Sequence, residues 1–188
     1  IPLGLVLTFL YTGKNRVINK IVGFYILVMR GTPLLLQIFF VYFGLPFIPV
    51  IGEHLVITDR FTAGAIAFVL NYAAYFAEIF RGGILSVDKG QYEAAKVLGI
   101  SEIQTKFKIV MPQMFRISLP SVANETVILL KDTALITTIG LSDLLKVTTN
   151  IVNRTTNVSA YIVAAAFYLV LSYFLSLLFK KLEKKFAF

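Results

Sequence analysis

The sequence predicts an all-α integral membrane protein, a five-transmembrane-helix bundle whose first helix is truncated, with a helical elbow on the cytoplasmic side. Three observations predict it: apolar blocks long enough to cross a bilayer, charges that alternate with those blocks, and one polar segment with helix signals of its own. The 188 residues are 57% hydrophobic with a mean hydropathy of +0.81, above the roughly 45–50% apolar content of a soluble domain.

The apolar blocks fall at about 1–12, 21–44, 61–80, 117–141 and 159–179. A helix needs about 20 apolar residues to cross the hydrocarbon core. The first block opens inside an apolar run, Ile1 to Tyr11. It reads as the tail of a truncated span, since no charged region or small-residue cleavage site marks a signal peptide. Residues 1–188 are read as one transmembrane domain.

Charge sets the expected orientation. The last block, Ser159 to Phe179, has no charge and ends in Lys180, Lys181, Lys184 and Lys185, a cytoplasmic anchor under the positive-inside rule. Counting back, segment 81–116 is cytoplasmic too, with Arg81, Lys89, Lys96, Lys106, Lys108 and Arg116. Loop 13–20, with Lys14, Arg16 and Lys20, falls on the same side. The opposite loops, 45–60 and 142–158, carry Arg60, Lys146 and Arg154 offset by Glu53, Asp59 and Asp143. This puts the N-terminus outside and the C-terminus in the cytoplasm.

The same pattern excludes other classes. The net charge of +8 is topology and not a nucleic-acid footprint, because the basic residues do not line one face of a soluble fold. There is no cysteine and a single histidine, His54, which rules out thiolate metal sites and His-pair zinc chemistry. A phosphate-cradling loop needs Gly-x-x-x-x-Gly-Lys-Ser/Thr. The near miss, Gly13-Lys14-Asn15, has Thr8 at the first glycine position and Asn15 at the hydroxyl position. The chain is not expected to be an enzyme.

Segment 81–116 breaks the hydrophobic pattern. Gln91 to Leu98 are mostly helix formers, and Gly99 suits a helix C-terminus in the left-handed conformation. Ser101-x-x-Gln104 is a capping box opening a second helix, expected to run to Met111 before Pro112. Two short helices joined at a glycine make an elbow. The small Ala94-Ala95 pair leaves one side slim enough to enter a partner's groove.

Glu93-Ala94-Ala95, three residues, Gly99, nine residues, then Ile109-Val110-Met111-Pro112 resembles the cytoplasmic signature of permease subunits in ABC importers. That signature ordinarily has Leu where Met111 stands. Arg30-Gly31-Thr32-Pro33-Leu34-Leu35-Leu36-Gln37 with Phe43-Gly44-Leu45-Pro46 resembles the second span of the polar amino-acid uptake subfamily, the importers of the histidine, glutamine and arginine type. The runs from Asn71 to Gly83, Asn124-Glu125 and Leu130-Lys131-Asp132-Thr133 resemble its third and fourth spans.

The resemblance implies a multi-pass subunit of the bacterial cytoplasmic membrane. It implies pairing with a second permease copy, identical or paralogous, two ATP-binding cassette subunits docked at the elbows, and an extracytoplasmic binding protein that delivers an amino acid. ATP and Mg would be bound by the partner subunits and no cofactor by this chain. It further implies that Arg81, Glu93, Ala94, Ala95, Gly99 and Pro112 serve ATPase coupling.

Ionisable residues inside spans are costly and mark functional sites. The third span carries Asn71, Tyr75 and Glu78 at i, i+4 and i+7, one helical face. The fourth carries Asn124 and Lys131, seven apart, and beside them Glu125 and Asp132, also seven apart. Such a helix must face protein or a watery cavity, and a strip of both signs suits an amino-acid zwitterion. The competing reading is that these groups pair with one another to tie helices together. Arg81, at i+3, could simply neutralise Glu78.

Arg30 lies about 15 Å along the helix from Lys20. With Gly31, Thr32, Pro33 and Gln37 it forms a candidate gate or hinge, although Arg30 could equally be a snorkelling anchor. Three carboxylates against one lysine in spans three and four favour a cationic substrate such as arginine, histidine or lysine. Lys131 and the amides suit glutamine as well. The rival class is an ion-gradient-driven secondary carrier working through Glu78, Glu125 and Asp132. Such a carrier has no need of the elbow, and the chain lacks the inverted repeat common in carriers.

Overall fold

A computed structural model describes residues 1–186, and among these every regular element is helical. The helices are α1 (Pro2–Tyr11), α2 (Arg16–Gly31), α3 (Leu34–Phe39), α4 (Arg60–Leu85), α5 (Lys89–Val97), α6 (Glu102–Gln104), α7 (Met111–Asp132), α8 (Leu144–Thr155) and α9 (Ser159–Phe186).

Two of them, α4 and α9, are long and apolar enough to cross a bilayer. A third crossing is counted if Arg16–Gly31 and Leu34–Phe47, which meet at 107°, are taken as one broken span. The block expected at 21–44 is a helix that breaks at residues 32–33, within the stretch read as a candidate hinge. The block 117–141 is corrected: α7 stops at Asp132 and a 3-10 segment, Thr133–Ile139, follows. Helix α7 has the length to cross, 22 residues, but carries Arg116, Glu125, Lys131 and Asp132 and so lacks the apolar composition.

The centre of the bundle is α4, and α1, α2, α3 and α7 all pack on it. Its small residues explain why. Ala63, Gly64, Ala67, Ala73, Ala74 and Ala77 are all buried, as their size predicts for close helix packing in membranes. On the facing helix, Gly4 approaches so closely that a Cβ there would lie 2.7 Å from the Phe76 Cβ. The Thr8 hydroxyl donates to the Ala77 carbonyl at 3.1 Å and to its own helix at Gly4, 2.8 Å away. Towards the end of α4, Tyr72, Phe76 and Phe80 pack with Met114 of α7.

Both π-helical stretches precede a proline. Phe40–Gly44 lies just before Leu45-Pro46, and Thr105–Val110 just before Met111-Pro112. A proline has no N–H to give to the carbonyl four residues back. In each case the preceding residue reaches one residue further instead: the Leu45 N–H bonds the Phe40 carbonyl, and the Met111 N–H bonds the Lys106 carbonyl. Pro112 thus does not end the second elbow helix as expected. The chain stays helical from Glu102 to Asp132 by widening one turn.

Residues 142–158 were expected to be a loop and instead hold α8. Asp143 caps it by accepting from the Lys146 N–H at 3.1 Å. Helix α8 packs against α9, where the Tyr168 hydroxyl donates to Asp143 at 3.1 Å.

Candidate functional site

The break between α2 and α3 builds the site. Thr32, which precedes Pro33, is extended, at φ −119° and ψ 145°, because the proline ring disfavours a helical residue before it. The last carbonyls of α2 then lose their partners, and in a membrane they must be satisfied by protein. The Thr32 hydroxyl donates to the Val28 carbonyl at 2.8 Å. The Met29 carbonyl accepts from the Gln37 amide at 2.9 Å and from the Asn71 amide at 3.0 Å. The Asn71 amide also donates to the Gln37 carbonyl oxygen at 2.9 Å. Gln37 and Asn71 are thus a brace across the break.

Beside the break lies a cavity of about 630 Å³. The expected residues Arg30, Gly31, Thr32, Pro33, Asn71, Tyr75, Glu125 and Asp132 all line it. Tyr72 does too, and the sequence reading missed it. Its hydroxyl donates to an Asp132 carboxylate oxygen at 2.7 Å, tying α4 to the end of α7. Its position at i−3 from Tyr75 was the signal that could have found it, since that spacing shares a helix face. The Arg30 guanidinium lies over the Tyr75 ring, 5.3 Å from its centre. By formal charge the lining holds one arginine and two carboxylates.

Four expected residues do not line this cavity: Gln37, which is held in the brace across the break, and Asn124, Lys131 and Glu78. Asn124 and Lys131 are exposed on this subunit, although each is the neighbour in sequence of a lining residue. Glu78 lies one turn further along α4 from Tyr75. Both its oxygens accept from Arg81, at 2.9 and 2.8 Å, and Arg30 comes within 3.5 Å of the second. The anticipated Glu78–Arg81 pair is present. Lys131 does not bond Glu125 or Asp132 in the ion pairs formed among the described residues, which are Lys14–Glu102, Arg30–Glu78 and Arg81–Glu78.

The 81–116 segment follows its local signals closely up to Gln104. Asp88 caps α5 through the Gly90 N–H at 2.6 Å. The helix closes in a Schellman turn, with Ile100 N–H to the Ala95 carbonyl at 2.9 Å and Gly99 N–H to the Lys96 carbonyl at 3.1 Å. Gly99 has φ +69°, the left-handed region that glycine enters at little cost. Ser101 and Gln104 make both bonds of the capping box.

The alanine pair is split. Ala95 is buried in this chain, 2% exposed, and so holds α5 down, which corrects the expectation that both alanines face a partner. Glu93 and Ala94 point outward. Val97, Leu98 and Ile103 form an apolar tip, 87%, 74% and 71% exposed. Glu102 is bonded by Lys14 at 2.7 Å, and that contact holds its carboxyl below the usual range. Arg81 opens this segment while paired with Glu78. It belongs to α4, over the Tyr11 ring at 5.6 Å.

Comparison with known proteins accounts for this arrangement. Residues 1–188 match the family of binding-protein-dependent transport system inner membrane components. The chain is 39% identical over 184 residues, 97% of its length and 82% of the relative's, to a protein of Rickettsia conorii provisionally named glutamine transport system permease protein GlnP. It is 39% identical over the same shares to the arginine transport system permease protein ArtQ of Bacillus subtilis. Among solved structures it superposes on an amino acid ABC transporter crystallised with histidines, with a TM-score of 0.88 and 33% identity over 98% of this chain and 84% of that one. With relatives of this kind and a fold built around a broken helix and a polar cavity, the chain belongs to the binding-protein-dependent transport permeases and is the membrane permease subunit of an ABC amino-acid importer.

Proposed function

We propose that this subunit forms the path for a polar amino acid, and that the cavity beside residues 31–33 receives it. The observation that carries this is the placing of Arg30 against Glu125 and Asp132 around one cavity. Arg30 suits the substrate carboxylate, since a guanidinium grips a carboxylate with two parallel hydrogen bonds. Glu125 and Asp132 suit its ammonium. Because Glu78 is already paired with Arg81, the lining counts one cation against two anions, a formal excess of one negative charge. That excess favours a cationic side chain, in keeping with a relative named for arginine transport, while a relative named for glutamine keeps neutral amides in view.

In this reading the five spans are about 1–12, 21–44 broken at its middle, 61–80, 117–141 made of α7 up to Asp132 and the 3-10 segment after it, and 159–179. The N-terminus is outside, and the C-terminus and the 81–116 elbow are in the cytoplasm. Glu93, Ala94, Gly99 and the apolar tip Val97, Leu98 and Ile103 meet an ATP-binding subunit, which holds ATP and Mg. A second permease copy, identical or paralogous, closes over the exposed side of α7. That copy would bring Asn124 and Lys131 into the path. An extracytoplasmic binding protein delivers the substrate. Nothing in the family or the fold favours the ion-gradient carrier.

The test is Glu125→Gln in the reconstituted importer, with uptake measured across the amino acids and melting temperature on the same sample. Transport of cationic amino acids should fall far more than that of neutral ones. A charge contact in a partly dry cavity is worth more than the neutral bond replacing it. Uniform loss with a lowered melting point would overturn the role of Glu125 and leave it a helix tie.

A further inference from the structure

We propose that Glu78 is a positioning residue whose carboxylate Arg30 gives up in exchange for the carboxylate of the arriving amino acid. The inference rests on the reading of the cavity just given and extends it to a residue outside the cavity.

The two arginines hold Glu78 unequally. Arg81 donates from Nε and Nη2 to separate oxygens, at 2.9 and 2.8 Å, the forked geometry in which a guanidinium binds a carboxylate best. Arg30 makes one long approach, Nη1 to Oε2 at 3.5 Å. Its side chain is also the more open of the two, 43% exposed against 34% for Arg81, and it borders the cavity with the Tyr75 ring beneath it.

The exchange is cheap for this reason. Removing one partner from a buried ion pair is ordinarily expensive, because it strands a charge. Glu78, whose side chain is 19% exposed, keeps both bonds to Arg81 when Arg30 swings away. Arg30 meanwhile trades one long contact for a two-point grip on the substrate. Before substrate arrives, the Glu78 contact and the Tyr75 ring hold the guanidinium at the cavity edge, so little freedom is lost on binding.

Linkage then makes a prediction of unusual sign. Substrate and Glu78 compete for Arg30, while Arg81 competes with Arg30 for Glu78. Weakening Arg81 must therefore tighten Glu78 on Arg30 and weaken substrate binding. Removing Glu78 as well must undo that effect. The coupling is reciprocal, so substrate binding should in turn tighten the Glu78–Arg81 pair at the end of α4 that leads into the 81–116 segment.

The experiment uses the purified permease–ATPase complex in nanodiscs, without binding protein. It measures equilibrium binding of L-arginine and L-glutamine and of their α-carboxamides, which lack the carboxylate. In wild type the acid should bind better than its amide, and Arg30→Gln should abolish that preference. If neither amino acid binds, or if Arg30→Gln leaves the preference unchanged, the cavity reading itself fails.

Given that preference, Arg81→Gln should weaken acid binding about fivefold or more. Glu78→Gln should bind at least as tightly as wild type, and the double variant should match Glu78→Gln. Arg81→Lys, which keeps the charge but not the fork, should lie between wild type and Arg81→Gln, and it serves if Arg81→Gln does not fold. Unchanged binding in both Arg81 variants, a double variant as weak as Arg81→Gln alone, or weaker binding in Glu78→Gln would each overturn the exchange while leaving the cavity reading intact. A helix tie without exchange would lower melting temperature in Arg81→Gln, in Glu78→Gln and in the double variant, and give no restoration of binding in the double.

Discussion

The Asn71 side-chain amide donates to the Gln37 carbonyl oxygen at 2.9 Å, joining α4 to the first turn of α3 across a helix break. The same nitrogen reaches the Met29 carbonyl on the far side of that break. Asn71 is 4% exposed, so the brace is shielded from water. Its amide nitrogen is committed to backbone and brace, which makes it a support of the cavity wall.

Replacing Asn71 with Val should therefore act on stability before substrate choice. The change leaves a Gln37 oxygen and part of the Met29 carbonyl short of a donor, worth about 1–3 kcal/mol. Thermal unfolding of the purified complex should show a lowered midpoint. The ranking of amino acids in uptake should stay as in wild type. An altered ranking with an unchanged midpoint would make Asn71 a substrate contact.

Tyr72 makes the second tie at the cavity, to Asp132 at 2.7 Å. Tyr72→Phe keeps the ring and its near-parallel contact with Phe68, 6.1 Å between centres, and removes only the hydroxyl. A hydrogen bond to a charged group contributes about 1.5–3 kcal/mol. Asp132, released from α4, should also bind a cationic ligand differently. Lowered stability together with a changed arginine-to-glutamine uptake ratio is the expected outcome, measured by melting curves and competitive uptake. An unchanged ratio would confine Tyr72 to helix packing.

What could be read from sequence followed from local chemistry. The Gly99 turn and the Ser101–Gln104 capping box each depend on neighbours within a few positions, and both stand as expected. The cavity set was largely legible because ionisable groups in an apolar block need a polar surrounding, which gathered Arg30, Tyr75, Glu125 and Asp132. What failed depended on distant partners or on compensation. Arg30-Gly31-Thr32-Pro33 signals a weak helix, but not a 107° turn whose freed carbonyls find Gln37 and Asn71. Pro112 signals a helix end, and a widened turn removes the need for one. Helix α8 escaped notice because an apolar face mixed with Lys146, Asn150 and Arg154 has no hydropathy peak.

The proposed topology separates two exposed positions. Lys96 in α5 and Asn150 in α8 are both open to solvent in this subunit, and the chain has no cysteine of its own. A single cysteine at 96 should react with a membrane-impermeant maleimide only from the cytoplasmic side, and one at 150 only from outside. Labelling of intact against permeabilised cells reads this directly. The reverse pattern would invert every orientation assigned here, and the elbow could then no longer meet an ATPase.

Gly99 offers the sharpest test of the elbow, because its environment isolates one cause. A Cβ at this position would meet nothing within 4 Å, so a larger residue suffers no clash. What remains is the backbone, held at φ +69° by the Schellman bonds to Ala95 and Lys96. A β-branched residue in that conformation costs about 1 kcal/mol or more. Gly99→Val should relieve the strain by unwinding the turn, which tilts α5 relative to Ser101 and displaces Val97 and Leu98, the exposed apolar tip. The bundle around α4 does not depend on this turn, so membrane insertion and yield should hold. Copurification of the ATP-binding subunit, or substrate-stimulated ATP hydrolysis where it still copurifies, should drop several-fold. Gly99→Asn, which tolerates the left-handed region better, should recover most of the loss. Normal association and normal coupling in Gly99→Val would mean that the segment merely connects α4 to α7, and the docking surface would have to be sought elsewhere.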